Sequence, residues 1–227
     1  MLLAVTGVAT LLCSLGFWQL SRGYYKQALL NSAEVATTQA PYSGQDLLQL
    51  SPPAQARYHP VRLRGRLVNE RTVLLDNKIN NGQAGYEVLV PMALDNHTLV
   101  LINRGWIPLG RSRKQLPDIR ALKDEVIIEG YLDFAYLNPL LRAALEDNTV
   151  QWPLRMQQVD TKLLGQLMNK AIFPMLVVLD KKSPYGFALS ERKAIGLSPE
   201  RHFGYAVQWF SLALTLLVCY GILLWRK

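Results

Sequence analysis

Residues 21–204 contain no cysteine; both cysteines, Cys13 and Cys219, fall in apolar runs at the two ends of the chain. That excludes a disulfide framework, a CxxC redox pair and a thiolate metal site from the middle segment. Histidine is scarce too: His59, His97 and His202 are too far apart in sequence to mark a clustered metal site. The chain has no GxGxxG turn, phosphate loop, HExxH pair or GxSxG elbow, so no motif points to nucleotide binding, zinc proteolysis or serine hydrolysis. It has no internal repeat and no low-complexity tract. The expectation is a protein that is not an enzyme.

Charge is missing altogether from residues 1–20 and 205–225. Each run is long enough for a helix to cross a hydrocarbon layer about 30 Å thick, and a helix satisfies its own backbone there. The expected organisation is a transmembrane helix over 1–20, an extracytoplasmic β-rich domain over 21–204 and a second transmembrane helix over 205–225. Two single spans build neither a pore nor an alternating-access path, so the work falls to the domain, its junctions with the membrane, or partners met there. At about 1.5 Å per residue, Cys13 and Cys219 lie at depths differing by about 10 Å, too far apart for a disulfide between upright helices.

The net charge is +8, with Arg226 and Lys227 supplying two of those charges. The other basic residues alternate with apolar ones instead of forming a nucleic-acid stripe, so the expected partners are membrane lipid, an acidic membrane protein or an anionic ligand, and not nucleic acid. The first span lacks a basic n-region and a small-x-small cleavage site, with Phe17-Trp18-Gln19-Leu20 where that site would stand, and reads as a retained anchor. Trp225-Arg226-Lys227 reads as a stop-transfer ending on the cytoplasmic side, which puts both termini inside and the domain outside. Arg22 and Lys26 argue weakly the other way.

Along the middle segment, 27–56 reads as polar and proline-bearing, with a short helix over 43–50. From Tyr58 the pattern turns to period two: Val61, Leu63, Gly65 and Leu67 on one strand face, Arg62, Arg64 and Arg66 on the other. Further strands are expected over 72–76, 86–94, 98–107, 125–134 and 174–180, with turns at Asn69-Glu70 and Asp95-Asn96. Helices are expected over 140–146 and over 160–170, the second capped by Asp160. The fold class is α+β: an antiparallel, barrel-like β-rich extramembrane domain between two terminal transmembrane helices. Gly65, Gly85 and Gly105 sit at strands or their ends and are expected to serve structure.

The second span opens Arg201-His202-Phe203-Gly204-Tyr205-Ala206-Val207-Gln208-Trp209-Phe210. A helix beginning near His202 puts His202, Tyr205 and Trp209 on one face. That face admits two readings: an aromatic belt at the membrane surface, or an imidazole ligand to a haem lying in the interface. On the first span Trp18 and Arg22 share a face, and Thr6, Thr10 and Ser14 form a small-residue row suited to close helix packing. The arginine row on the first strand reads as a solvated face, with carboxylate or propionate binding as the sharper alternative.

Five stretches, in order, resemble the surfeit-locus-one proteins, assembly factors of cytochrome c oxidase. They are Leu15-Gly16-Phe17-Trp18-Gln19-Leu20 with Arg22 and Lys26; Tyr58-His59-Pro60-Val61 with Gly65; Gly85-Tyr86-Glu87-Val88-Leu89-Val90-Pro91; Val100-Leu101-Ile102-Asn103-Arg104-Gly105-Trp106-Ile107-Pro108; and His202 to Phe210 as quoted above. The resemblance implies a membrane-anchored, non-catalytic factor that helps deliver haem a to the oxidase's large catalytic subunit, in contact with that subunit and with haem a synthase. It also implies a bacterial plasma (inner) membrane location with a periplasmic domain, and a haem-ligand role for His202. With haem a as cofactor and His202 on its iron, Tyr205 and Trp209 would flank the macrocycle, Trp18 would close the site and Arg22 would pair with a propionate. The competing expectation is a scaffold that stabilises an oxidase intermediate without touching haem; an enzyme acting on haem or quinone fits least, because neither span carries an internal histidine.

Overall fold

The computed structural model of the chain describes residues 2–36, 38–51, 53–110, 116–135, 145, 150–188 and 198–225. They divide into two units, Met1–Glu34 with Arg192–Lys227, and Val35–Glu191.

The first unit is built on two long helices, α1 (Leu2–Ala36) and α4 (Pro199–Trp225). Both are long and apolar enough to cross a membrane. At about 1.5 Å per residue α1 extends well beyond a 30 Å hydrocarbon layer. The polar stretch after residue 26, expected to leave the helix, continues it to Ala36. Polarity does not end a helix, and no proline occurs before Pro41 to break this one. Helix α4 starts three residues before His202, at Ser198-Pro199, a serine followed by proline at the first helical position.

The second unit is a seven-stranded sheet: β1 (Pro60–Gly65), β2 (Val73–Asn80), β3 (Gln83–Ala93), β4 (Thr98–Pro108), β5 (Val126–Asp133), β6 (Leu154–Met156) and β7 (Ala171–Leu179), in spatial order β1-β5-β7-β4-β3-β2-β6. It is not the antiparallel barrel expected from sequence. The sheet is open, with β1 and β6 at opposite edges, and β4/β7 and β2/β6 pair in parallel. Strand β7 returns after β5, β6 and a helix to insert between β4 and β5. Its wholly apolar run marked a strand, but consecutive strands were expected to pair as hairpins, and an apolar run does not by itself fix which neighbours a strand takes.

Period two then sorts side chains into two cores. Leu74, Val88, Val90, Val100, Ile102, Met175 and Val177 pack on one face. Val73, Leu75, Leu89, Leu101 and Leu176 pack on the other, with Leu164 of α3 (Thr161–Met168). Asp160 caps α3 as the sequence indicated, its carboxylate accepting from the Lys162 and Leu163 amides, and Asn169 closes it in the left-handed conformation. Helix α2 (Gly44–Gln49) opens with a reciprocal Ser43–Asp46 capping box. The helix expected over 140–146 lies outside the described residues except for Leu145, which bridges Met156.

Three of the family-like stretches hold this sheet together. Tyr58 and His59 join the start of β1 to Leu132 of β5 through main-chain bonds of 2.7 and 3.0 Å. His59 stacks on Tyr42, with ring centroids 3.6 Å apart. In Asn103-Arg104-Gly105-Trp106, the Asn103 side chain accepts from the Gly105 amide and Trp106 Nε1 donates to the Lys78 carbonyl at 2.8 Å. Gly105 has φ +107°, a conformation that side chains rarely adopt. At Gly85 a Cβ would overlap the Ile107 carbonyl and the Trp106 ring, whereas at Gly65 it would meet Met92 at an ordinary 3.6 Å. The expected backbone constraint therefore holds at Gly85 and Gly105, and space exists at Gly65.

Candidate functional site

Helices α1 and α4 pack through small residues and aromatic rings. Ala9, Gly16 and Gly23, seven residues apart in turn, are buried on α1, and His202, Ala206 and Ala213 on α4. A spacing of seven keeps one stripe of a helix against its partner over several turns. Phe210 lies on Gly16 and Phe203 on Gly23, so closely that a Cβ would come within 2.7 and 2.5 Å of the rings. Phe17 meets Phe210 edge-on, and Tyr24 meets Phe203, each at a centroid distance of 5.2 Å. The Thr6, Thr10 and Ser14 row, expected at the helix contact, is exposed instead, and each hydroxyl donates to a carbonyl of the preceding turn. In apolar surroundings a serine or threonine can satisfy itself on its own helix, so small size alone does not mark the seam.

His202 sits at the end of this seam, 7% exposed. Its Nδ1 lies 2.7 Å from Oε1 of Gln19 on α1. An amide oxygen only accepts, so Nδ1 carries the proton and donates. When the ring is neutral its lone pair is then on Nε2, which makes no hydrogen bond among the described residues yet is not sealed within the fold. A neutral imidazole with Nδ1–H anchored and Nε2 available is the arrangement that ligating histidines adopt.

The other candidates make no bond to this pair among the described residues. Trp18 is 54% exposed and Arg22 is exposed, one on each side of Gln19 in sequence. Tyr205 is 42% exposed and Trp209 half-buried. Among the described residues no hydrogen bond, ion pair or ring stacking joins any of the four to His202, and Arg22 has no carboxylate partner. Gln19 was passed over in sequence because a glutamine inside an apolar run has no chemistry of its own. The usable signal was a polar side chain near the end of one span opposite a histidine at the start of the other.

The remaining histidines do not join this site. His59 is in the sheet core, and His97 is in the β3–β4 turn beside a shallow groove with Lys162 and Lys170. Among the described residues no group of three histidine, cysteine or acidic side chains is arranged to hold a metal ion. The arginine row on β1 is a solvated face: Arg62 pairs with Glu129 at 3.3 Å and Arg64 with Glu125 at 2.8 Å. Both pairs are well exposed.

A family model described as the SURF1 family matches residues 6–214, which takes in most of α1, the whole sheet and the first part of α4. The chain belongs to the SURF1 family. A SURF1-like protein of Rickettsia felis is 24% identical, over 94% of this chain and 92% of its own length. One from Rickettsia conorii is 27% identical over 94% of this chain and 86% of its own, and one from Drosophila melanogaster is 29% identical over 48% and 40%. Membership of the SURF1 family implies a role in cytochrome c oxidase assembly. Residues 19 and 202 both fall within the matched stretch, so the His202–Gln19 pair lies inside the region shared with the family.

Proposed function

We propose that this SURF1-family chain helps place haem a into the large catalytic subunit of cytochrome c oxidase, holding the haem briefly as cargo through His202. The supporting observation is the anchored imidazole: Nδ1–H donates to Gln19 at 2.7 Å and Nε2 remains available. The chemistry that haem a brings is an iron able to take a neutral nitrogen ligand and a macrocycle with one apolar and one propionate-bearing edge.

The residues around His202 suit such a cargo. Tyr205, Trp209 and Trp18 offer apolar and aromatic surface to a macrocycle, and the exposed Arg22 guanidinium suits a propionate in partly dry surroundings. In this reading α1 and α4 cross a bacterial inner membrane with both termini in the cytoplasm, the sheet domain stands in the periplasm, and haem a synthase and the oxidase subunit are the donor and acceptor partners. The protein performs no bond chemistry; it binds, orients and releases.

The functional test is the haem a content of oxidase purified from cells in which His202→Ala replaces the wild-type chain. The reading expects large subunit deficient in haem a while the variant accumulates normally. Fully loaded oxidase in those cells would favour a scaffold that acts through protein contacts alone.

A further inference from the structure

We infer that Gln19 is a positioning residue for His202: by accepting the Nδ1 proton it fixes the imidazole tautomer and aims Nε2 away from α1. The inference rests on the reading of His202 as a haem ligand and adds to it a residue on the opposite helix. A neutral histidine without a partner divides its proton between the two ring nitrogens, and only the form with a bare Nε2 can ligate through that atom. The 2.7 Å contact with Gln19 Oε1 selects that form. It also fixes the ring plane, because His202 is buried on a seam where Gly16 and Gly23 leave no room for the helices to slide past Phe210 and Phe203. The ligand comes from one span and its orienting acceptor from the other, so the site exists only when α1 and α4 are paired. Loss of an orienting partner typically lowers metal affinity about 10–100-fold without removing the ligand itself.

The test uses the full chain in lipid nanodiscs with ¹⁵N-labelled histidine, held above about pH 8 so that imidazole is neutral. His202→Asn identifies the His202 signals. The wild type should show His202 with a protonated Nδ1 and a bare Nε2, Gln19→Leu should lose that preference, and Gln19→Glu, which keeps an acceptor oxygen, should retain it. Haem a added to the same samples should bind about 10–100-fold more weakly to Gln19→Leu than to the wild type, with Gln19→Glu restoring both occupancy and the ligand-field spectrum. Because Gln19→Glu must rescue, a variant that merely fails to pair its helices is distinguished from one that lacks the acceptor.

A wild-type His202 protonated on Nε2 would overturn the inference, since the amide would then be donating. So would Gln19→Leu that keeps the wild-type tautomer and haem affinity. The expected tautomers with no haem bound to any variant would instead overturn the ligand reading, leaving the hydrogen bond between the helices as a packing contact.

Discussion

The Arg104 guanidinium lies over the face of Phe187, its central carbon 4.7 Å from the ring centroid. It is 1% exposed, and its Nε and Nη1 donate to the carbonyls of Tyr185 and Arg120 at 2.9 and 2.8 Å. Burial, with Arg120 adding to it, drives its pKa down to about 10, which still leaves it a cation at neutral pH. No carboxylate pairs with it among the described residues. Two carbonyl dipoles and an aromatic face hold the charge, and they tie β4 to two separate loops.

Arg104→Lys should therefore be far from conservative. A single ammonium cannot reproduce the planar fork, so at least one buried carbonyl loses its donor at a cost of about 1–3 kcal/mol. Urea unfolding of the full chain, followed by tryptophan fluorescence, should show a lower midpoint. An unchanged midpoint would mean that the fork does not hold the loops.

Gly85 and Gly65 should separate cleanly. At Gly85 a Cβ would run into the Ile107 carbonyl and lie 2.5 Å from the Trp106 ring, and backbone cannot move aside at small cost. Gly85→Ala should lose roughly 1–3 kcal/mol or more, as overpacked sites do. Gly65→Ala, facing only the flexible Met92 at 3.6 Å, should stay within about 1 kcal/mol of wild type. Comparing the two midpoints checks it, and equal losses would contradict the packing described.

Acid should loosen the β3–β4 turn. The Asp95 carboxylate accepts from the His97 and Thr98 amides, and the His97 bond chiefly holds its pKa below the usual carboxylate value of 3.8. With the folded value depressed, this contribution is complete above the unfolded pKa and is lost as pH falls through the lower folded value. Hydrogen exchange at the His97 and Thr98 amides should lose protection across that acidic window in the wild type. In Asp95→Asn, which has no charge to lose, the acid-dependent step should be missing.

Much of the sheet domain was legible because its signals are local. Alternation at Val61 and Leu63 placed β1, Asp95-Asn96 placed the β3–β4 turn, and Asp160 placed the start of α3. What escaped depends on contacts between distant segments. The apolar run of β7 does not say that it lies parallel to β4, and the three residues of β6 are too few to show a period. At the site, the histidine was legible from its place at the start of an apolar helix. Its partner was not, because Gln19 gains meaning only once Gly16 and Gly23 bring α4 against that face of α1. The Thr6, Thr10 and Ser14 row misled for the same reason: residue size marks a possible seam, and the partner helix decides which one is used.

The seam itself can be tested by substitution. Gly16→Leu places a branched side chain where a Cβ alone would be 2.7 Å from Phe210, and should separate α1 from α4. Thr10→Val removes only a hydroxyl bonded to the helix's own backbone at Thr6 and should leave the pair intact. Spin-label distances between the two helices in nanodiscs should lengthen in the first variant and remain as in wild type in the second. The reverse result would move the seam to the Thr/Ser row.

The central claim is that His202 can hold haem a iron, and titration of haem a into the purified full chain in nanodiscs tests it most directly. The account predicts a saturable Soret change with a nitrogen-ligated spectrum in the wild type, and its loss in His202→Ala with α1 and α4 still paired. Equal occupancy and identical spectra in the two proteins would contradict it.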